Sequence, residues 1–262
     1  MGLHERVEEK EMSKNSTLRA GDASSIETNR SGGSDSTAGP LPADILAGIN
    51  SRGFYAAAIS DALDSLGYRN QVMHSRLRPL LQDDPAPGFI GRARTVQWMV
   101  MNYVVEEDPY GLEIELVDSL KNGDVLVHST DYSGTNTPWG ELMSTAAVLR
   151  GAVGCICDSN IRDCTRIREM GFPVYYAGIR ALDSKGRGRV QAYDVPITCG
   201  EVLVHPDDII FADFDGIAVI PSSIAAKVFE VATLKSAKEK EVREELKRGK
   251  SLREVYEAHK IL

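Results

Sequence analysis

No apolar run in this 262-residue chain is long enough to cross a bilayer, and its start, MGLHERVEEKEMSKN, lacks the apolar core of a signal peptide. Arg6 stands where N-myristoylation prefers serine or threonine. No membrane partner is expected, and a cytoplasmic protein is. Positive charge is also scarce: 30 Lys and Arg against 38 Asp and Glu leave a formal charge of −8. An acidic surface is not drawn to phosphate backbones, so no nucleic acid is expected either, and small molecules or proteins are the natural partners. The four cysteines, Cys155, Cys157, Cys164 and Cys199, form no C-x-x-C pair. A zinc site wants four converging ligands, and the expectation here is instead small, buried, apolar side chains. There is no G-x-G-x-x-G between a strand and a helix, no Walker A loop and no G-x-S-x-G. Dinucleotide enzymes, P-loop NTPases and the common serine hydrolases are disfavoured accordingly.

Residues 1 to about 40 are charged, then rich in Ser, Thr, Gly and Asn, with too few apolar side chains to offset the entropy of ordering. A disordered tail without catalytic residues is expected there. From PLPADILAGI the composition becomes that of a globular domain. Short helices are expected over Asp44 to Ile49 and Ala56 to Leu66, the second stopping at Gly67. GFIGRARTVQWMV reads as a strand, Glu113 to Lys121 as a helix and DVLVHS as a strand. DYSGTNTPWG is a loop by composition, and GELMSTAAVLRGA is a helix.

Next come the strand AVGCIC, the turn DSN, the helix IRDCTRIREMG and the strand PVYYAG, an alternation that indicates a parallel pair. Asp158, Ser159 and Asn160 have the composition of turn and N-cap residues. The stretch from Arg187 to Pro221 is β-rich, with a hairpin turn marked by Asp215 and Gly216. A long amphipathic helix follows, and a last one opens on the capping box Ser251-x-x-Glu254.

Two helix starts in succession, Gly140-Glu141-Leu142-Met143 and Ile161-Arg162-Asp163, carry the chemistry. Unpaired N–H groups and partial positive charge make a helix start a seat for a carboxylate. Gly140 lets a ligand approach the N–H groups near Leu142 and Met143. Arg162 offers a planar fork to the same carboxylate or to a keto oxygen. Asp163 presents a hard oxygen to magnesium or manganese, and Glu141 is placed to orient a water on that ion. Acidic residues at such positions are favoured by the helix dipole alone, and for Glu141 or Asp163 taken singly that is the leading explanation. Arg162 and Asp163, as neighbours in sequence, are not expected to pair with each other. His74, His128 and His205 lie in strand or loop contexts that suit structural histidines, while His4 and His259 are in terminal segments. Asp213 and Asp215 fit turn chemistry.

From Trp139 onward, WGELMSTAAVLRGAVGCICDSNIRDCTRIREMGFPVYYAG resembles the 4-hydroxy-4-methyl-2-oxoglutarate aldolases and the related RraA-like proteins, named for a regulator of ribonuclease activity. The likeness continues through VLVHPDDIIFADFDGIAVIP, includes AISDALDSLGY, and covers most of residues 42–260. It implies an α/β swivelling β/β/α fold with a parallel α/β unit, antiparallel β structure and C-terminal helices. Residues 41–262 would form one domain, with the helices over 222–262 included. The resemblance also implies a homotrimer or hexamer with active sites at subunit boundaries. In that family the positions of Gly140, Glu141, Leu142 and Met143 bind substrate, that of Arg162 binds substrate and transition state, and that of Asp163 binds the metal. Two positions depart from the pattern: Ser159 replaces a glycine, and Arg166 stands where the aldolases usually carry an acidic residue.

The resulting expectation is a divalent-metal-dependent lyase that cleaves a C–C bond of a 2-oxo dicarboxylic acid through a pyruvate enolate, as an aldolase or an oxaloacetate decarboxylase. The alternative is a non-catalytic protein-binding regulator on the same scaffold.

Overall fold

The computed structural model describes residues 54–82 and 88–261. The expected tail and the helix over Asp44 to Ile49 lie outside the described residues. In chain order the elements are α1 (Ala56–Ser65), β1 (Arg78–Pro79), β2 (Phe89–Val100), α2 (Leu112–Asp118), β3 (Asp124–Ser129) and α3 (Glu141–Leu149). Then follow β4 (Gly154–Ile161), α4 (Cys164–Met170), β5 (Val174–Ile179), β6 (Gly188–Tyr193), β7 (Ile197–Cys199) and β8 (Val202–Val204). Last come β9 (Ile209–Asp213), β10 (Gly216–Ile220), a 3-10 turn at Ser222–Ile224, α5 (Ala225–Lys247) and α6 (Leu252–His259). No helix among the described residues is long and apolar enough to cross a membrane.

The main sheet runs β1-β5-β4-β3-β2-β9-β10, with β7 and β8 forming a separate ribbon. Its centre is parallel, β2 to β3 to β4 to β5, and its flanks are antiparallel. β2 is long enough to serve two antiparallel partners: Phe89–Arg92 pairs with β9, and Val96–Val100 pairs with β6. Side chains alternate between two cores. Leu126, Cys155 and Cys157 face the core beneath α2, α3 and α4, while Val125, Val127 and Ile156 face the core shared with β7 and β8. A sheet covered on both faces needs apolar residues at consecutive positions, which is why DVLV and GCIC read as unbroken runs. A third core joins α1 and α5 to β9 and β10 through Ile59, Leu63, Phe211, Val228 and Phe229. The cysteines are free, three buried and Cys164 partly so.

The expected turn at Asp158, Ser159 and Asn160 is not a turn, for β4 continues through these residues to Ile161. Their side chains are held by the adjoining 130–139 loop, with Asp158 Oδ2 alone among their oxygens buried without a partner. The Asp158 carboxylate accepts from the Thr130 amide at 2.7 Å and its hydroxyl at 2.8 Å. Ser159 donates to the Asn136 carbonyl, and the Asn160 amide donates to those of Gly134 and Asn136. The following helix consequently begins at Cys164, three residues later than the sequence suggests. The β9–β10 hairpin turns at Phe214 and Asp215, one residue before the expected pair, because Asp213 faces Gly216 across the ladder. Asp213 does serve the turn: its carboxylate accepts from the amides of Asp215 and Ala56. The capping box forms as expected at Ser251 and Glu254.

Candidate active site

A single parallel bridge, Trp139 to Ile161, ties the entry of α3 to the end of β4, and the Arg162 amide donates to the Trp139 carbonyl at 3.0 Å. The two helix starts therefore emerge side by side. Gly140, Glu141, Leu142, Met143, Arg162 and Asp163 all line one cleft of about 250 Å³. Leu142 and Met143 carry N–H groups of the first turn of α3, where no preceding helical carbonyl is available to accept.

Asp163 is the first cap residue of α4, its carbonyl accepting from the Arg166 and Ile167 amides, but its side chain does not cap that helix. The residue sits in the left-handed region at φ 58°, with no side-chain cap bond to α4. That conformation is uncommon outside glycine and is tolerated best by Asn and Asp. It turns the carboxylate across to α3, where Oδ2 accepts from the Glu141 amide at 3.3 Å. It also brings Oδ2 to 3.6 Å from Arg162 Nε, so these adjacent residues do approach one another, contrary to expectation. The rule that neighbours diverge holds for regular helix or strand, and the positive φ breaks it. Arg162 Nη1 donates to the Leu182 carbonyl at 3.2 Å and lies 3.6 Å from Asp183 Oδ1. Among the described residues Nη2 has no hydrogen-bond partner. Glu141 accepts from the Thr145 hydroxyl one turn along α3, which steadies its carboxylate at the mouth of the cleft.

Gly140 is extended, at φ −152°, a conformation open to any residue. Its need is for space: a Cβ there would lie 2.9 Å from Asp163 Oδ2 and 3.3 Å from Arg162 Nε. Both atoms belong to side chains that can move. Gly140→Ala is therefore expected to leave the melting temperature nearly unchanged while lowering turnover by about ten- to a hundredfold, since displacement of reacting groups by about 1 Å costs that much. Thermal melts and kcat on the same preparation separate the two effects.

The opposite wall, from α2 and the loop before β6, was not foreseen. Glu113 is 5% exposed, lines the cleft and has one long hydrogen bond, from the Ser184 hydroxyl at 3.5 Å. Burial, reinforced by nearby Asp183, pushes its carboxyl up to about 8 against the pull of Ser184 and Arg162. Burial also opposes ionisation of Asp183, but donation from the Tyr110 hydroxyl and the Lys185 amide, with Arg162 and the Ser184 amide, holds that carboxyl below its ordinary value. The sequence does hold a signal for Glu113. Leu116, Val117 and Leu120 are buried, and Glu113 occupies the same helical stripe at three, four and seven residues' spacing. An acidic residue on an apolar stripe is worth noticing. Asp183 carries no such signal in its polar loop.

His128 is buried, its Nδ1 accepts from Trp98 Nε1 at 3.0 Å, and burial lowers its pKa to about 3. It is a neutral structural histidine. Arg166 is exposed and does not line the cleft.

The sequence profile of the RraA-like family, described as Aldolase/RraA, matches residues 56–219. The chain belongs to the RraA-like family. A Halalkalibacterium halodurans relative named "Putative 4-hydroxy-4-methyl-2-oxoglutarate aldolase" is 32% identical over 179 residues, which is 68% of this chain and 78% of that protein. Legionella pneumophila Protein DlpA is 26% identical over 77% of this chain, which matches 32% of that longer protein. Among solved structures, Streptomyces coelicolor RraAS2, titled an unusual member of the RNase ES inhibitor RraA protein family, aligns with TM-score 0.65 and 28% identity. The alignment covers 81% of this chain and 99% of that one. The mixed α/β fold is thus that of the RraA-like proteins, and its relatives include both named aldolases and named ribonuclease inhibitors. The profile ends at Val219, inside β10, so α5 and α6 lie beyond the matched region.

Proposed function

We propose that this protein is a divalent-metal-dependent carbon–carbon lyase acting on a 2-oxo acid, by retro-aldol cleavage or decarboxylation. The observation that carries this reading is the Asp163 side chain, which leaves its own helix uncapped and turns to the start of α3 beside Arg162. A side chain that served only helix stability would cap α4.

The donors fit a hard cation such as magnesium or manganese. Asp163 and Glu141 offer carboxylate oxygens only, and among the described residues no group of three or more His, Cys, Asp or Glu is placed to hold a metal. Magnesium is commonly held by one or two carboxylates, with water and substrate completing its shell. When bound, such a cation would supply positive charge at the substrate's C1 carboxylate and C2 oxygen. The chain's own groups do the rest. N–H groups of Leu142 and Met143 bind the carboxylate, and Arg162 stabilises the negative charge that develops on the C2 oxygen as the C–C bond breaks. Glu141 orients a water that takes the proton. The exposed apolar lip, Ile114 and Leu142, is what a neighbouring copy in a trimer or hexamer would cover.

A pyruvate-release assay tests this with oxaloacetate, 4-hydroxy-4-methyl-2-oxoglutarate and other 4-hydroxy-2-oxo acids. Release is expected with magnesium or manganese and is expected to vanish with chelator, returning when metal is restored. Absence of metal-dependent release from every compound would sink the lyase reading in favour of a non-catalytic regulator; the Streptomyces relative's family is named for inhibiting RNase ES.

A further inference from the structure

We propose that Asp183, positioned by Tyr110, and Glu113 select the far end of the substrate, and that this end is a neutral, hydroxyl-bearing chain rather than a second carboxylate. The inference rests on the lyase reading above, with the C1 carboxylate at the start of α3, and narrows its substrate class.

Charge accounting at the cleft leads to it. Four carboxyl side chains line the cleft, from Glu113, Glu141, Asp163 and Asp183, against one basic residue, Arg162. That guanidinium is already committed, with Nε beside Asp163 and Nη1 on the Leu182 carbonyl and beside Asp183. Its remaining donors, with any bound cation, are needed for the C1 carboxylate and C2 oxygen. A second carboxylate reaching the α2 wall would meet Asp183 and the Tyr110 hydroxyl, which is spent on Asp183 at 3.0 Å. Among the described residues no lysine or arginine besides Arg162 lines the cleft, and Arg189, against Gly111 at the start of α2, is 3.6 Å from Asp108.

A hydroxyl is complementary where a carboxylate is not. It donates and accepts, whereas an ionised carboxylate only accepts. Asp183 is held ionised and is an acceptor. Glu113 is buried, held largely protonated at neutral pH and bonded only through the 3.5 Å contact from Ser184, so its carboxyl is available as a donor. A cationic tail is not called for, because Asp183 is already balanced by Arg162 at 3.6 Å. The wall thus presents one acceptor and one donor, and a hydroxyl is complementary to either.

Three five-carbon 4-hydroxy-2-oxo acids that differ only at their end test this: 4-hydroxy-2-oxopentanoate, 4,5-dihydroxy-2-oxopentanoate and 4-hydroxy-2-oxoglutarate. In each, the 4-hydroxyl loses its proton, the C3–C4 bond breaks and its electron pair passes to the pyruvate enolate, which is then protonated at C3. Acetaldehyde, glycolaldehyde or glyoxylate is the second product. With magnesium, kcat/KM for the dihydroxy compound is expected to exceed that for the dicarboxylate by at least about tenfold. Asp183→Asn is expected to bring the ratio close to one, and Asp183→Glu to restore part of it. Equal or better turnover of the dicarboxylate by the wild-type protein overturns the inference, as does a ratio that Asp183→Asn leaves unmoved. If none of the three releases pyruvate, the lyase reading is decided by the wider panel above, with oxaloacetate and 4-hydroxy-4-methyl-2-oxoglutarate, and not by these compounds. Calorimetric binding of the same compounds to the magnesium-loaded wild-type protein then decides: tighter binding of the dihydroxy compound supports the distal selection, and equal, reversed or absent binding overturns it.

Discussion

Asp163→Asn is expected to abolish metal-dependent pyruvate release while leaving the fold intact. Asparagine keeps the shape and, through its carbonyl oxygen, the ability to accept from the Glu141 amide. It also tolerates the left-handed backbone at φ 58° at least as well as aspartate does. What it loses is the negative charge that would hold the cation. A Lewis-acid contribution of several kcal/mol, at about 1.4 kcal/mol per tenfold in rate, corresponds to a loss on the order of a thousandfold or more. Calorimetry with magnesium should show the matching loss of binding, and the thermal melt of the metal-free protein should be unchanged. Magnesium-dependent turnover within about tenfold of wild type would remove Asp163 from the reaction.

Arg162→Lys should be nearly as damaging despite keeping the charge. The guanidinium divides its work: Nη1 is anchored on the Leu182 carbonyl, Nε lies beside Asp163, and Nη2 has no protein partner among the described residues. One ammonium group cannot occupy the anchor and the ligand together, because it is a point charge rather than a planar fork. Loss of a donor aimed at developing charge typically costs about a hundred- to a thousandfold in kcat, and a drop in that range is expected here. The split between constants is informative. A fall in kcat at nearly constant KM marks an interaction made in the transition state, whereas a rise in KM alone would make Arg162 a ground-state ligand only.

How far the sequence foretold this site depends on the kind of interaction. Gly140, Glu141, Leu142, Met143, Arg162 and Asp163 were visible because helix starts have local signatures, and all six line the same cleft. The polar run from Asp158 to Asn160 was misread for the same reason that the others were found. Its composition is that of a turn, but its partners Thr130, Gly134 and Asn136 come from a loop more than twenty residues away. Propensity describes what a segment does when left to its neighbours, and tertiary hydrogen bonds override it.

The sequence by itself determined the parallel β core, since buried strands need consecutive apolar residues, and it determined where α3 begins, since a helix start is a local event. Only the tertiary structure decided that the two helix starts meet, through the Trp139–Ile161 bridge and the left-handed turn at Asp163. It alone set Glu113 and Asp183 opposite Arg162. Charge and burial at a site are sums over segments distant in the chain, and no window of sequence contains that sum.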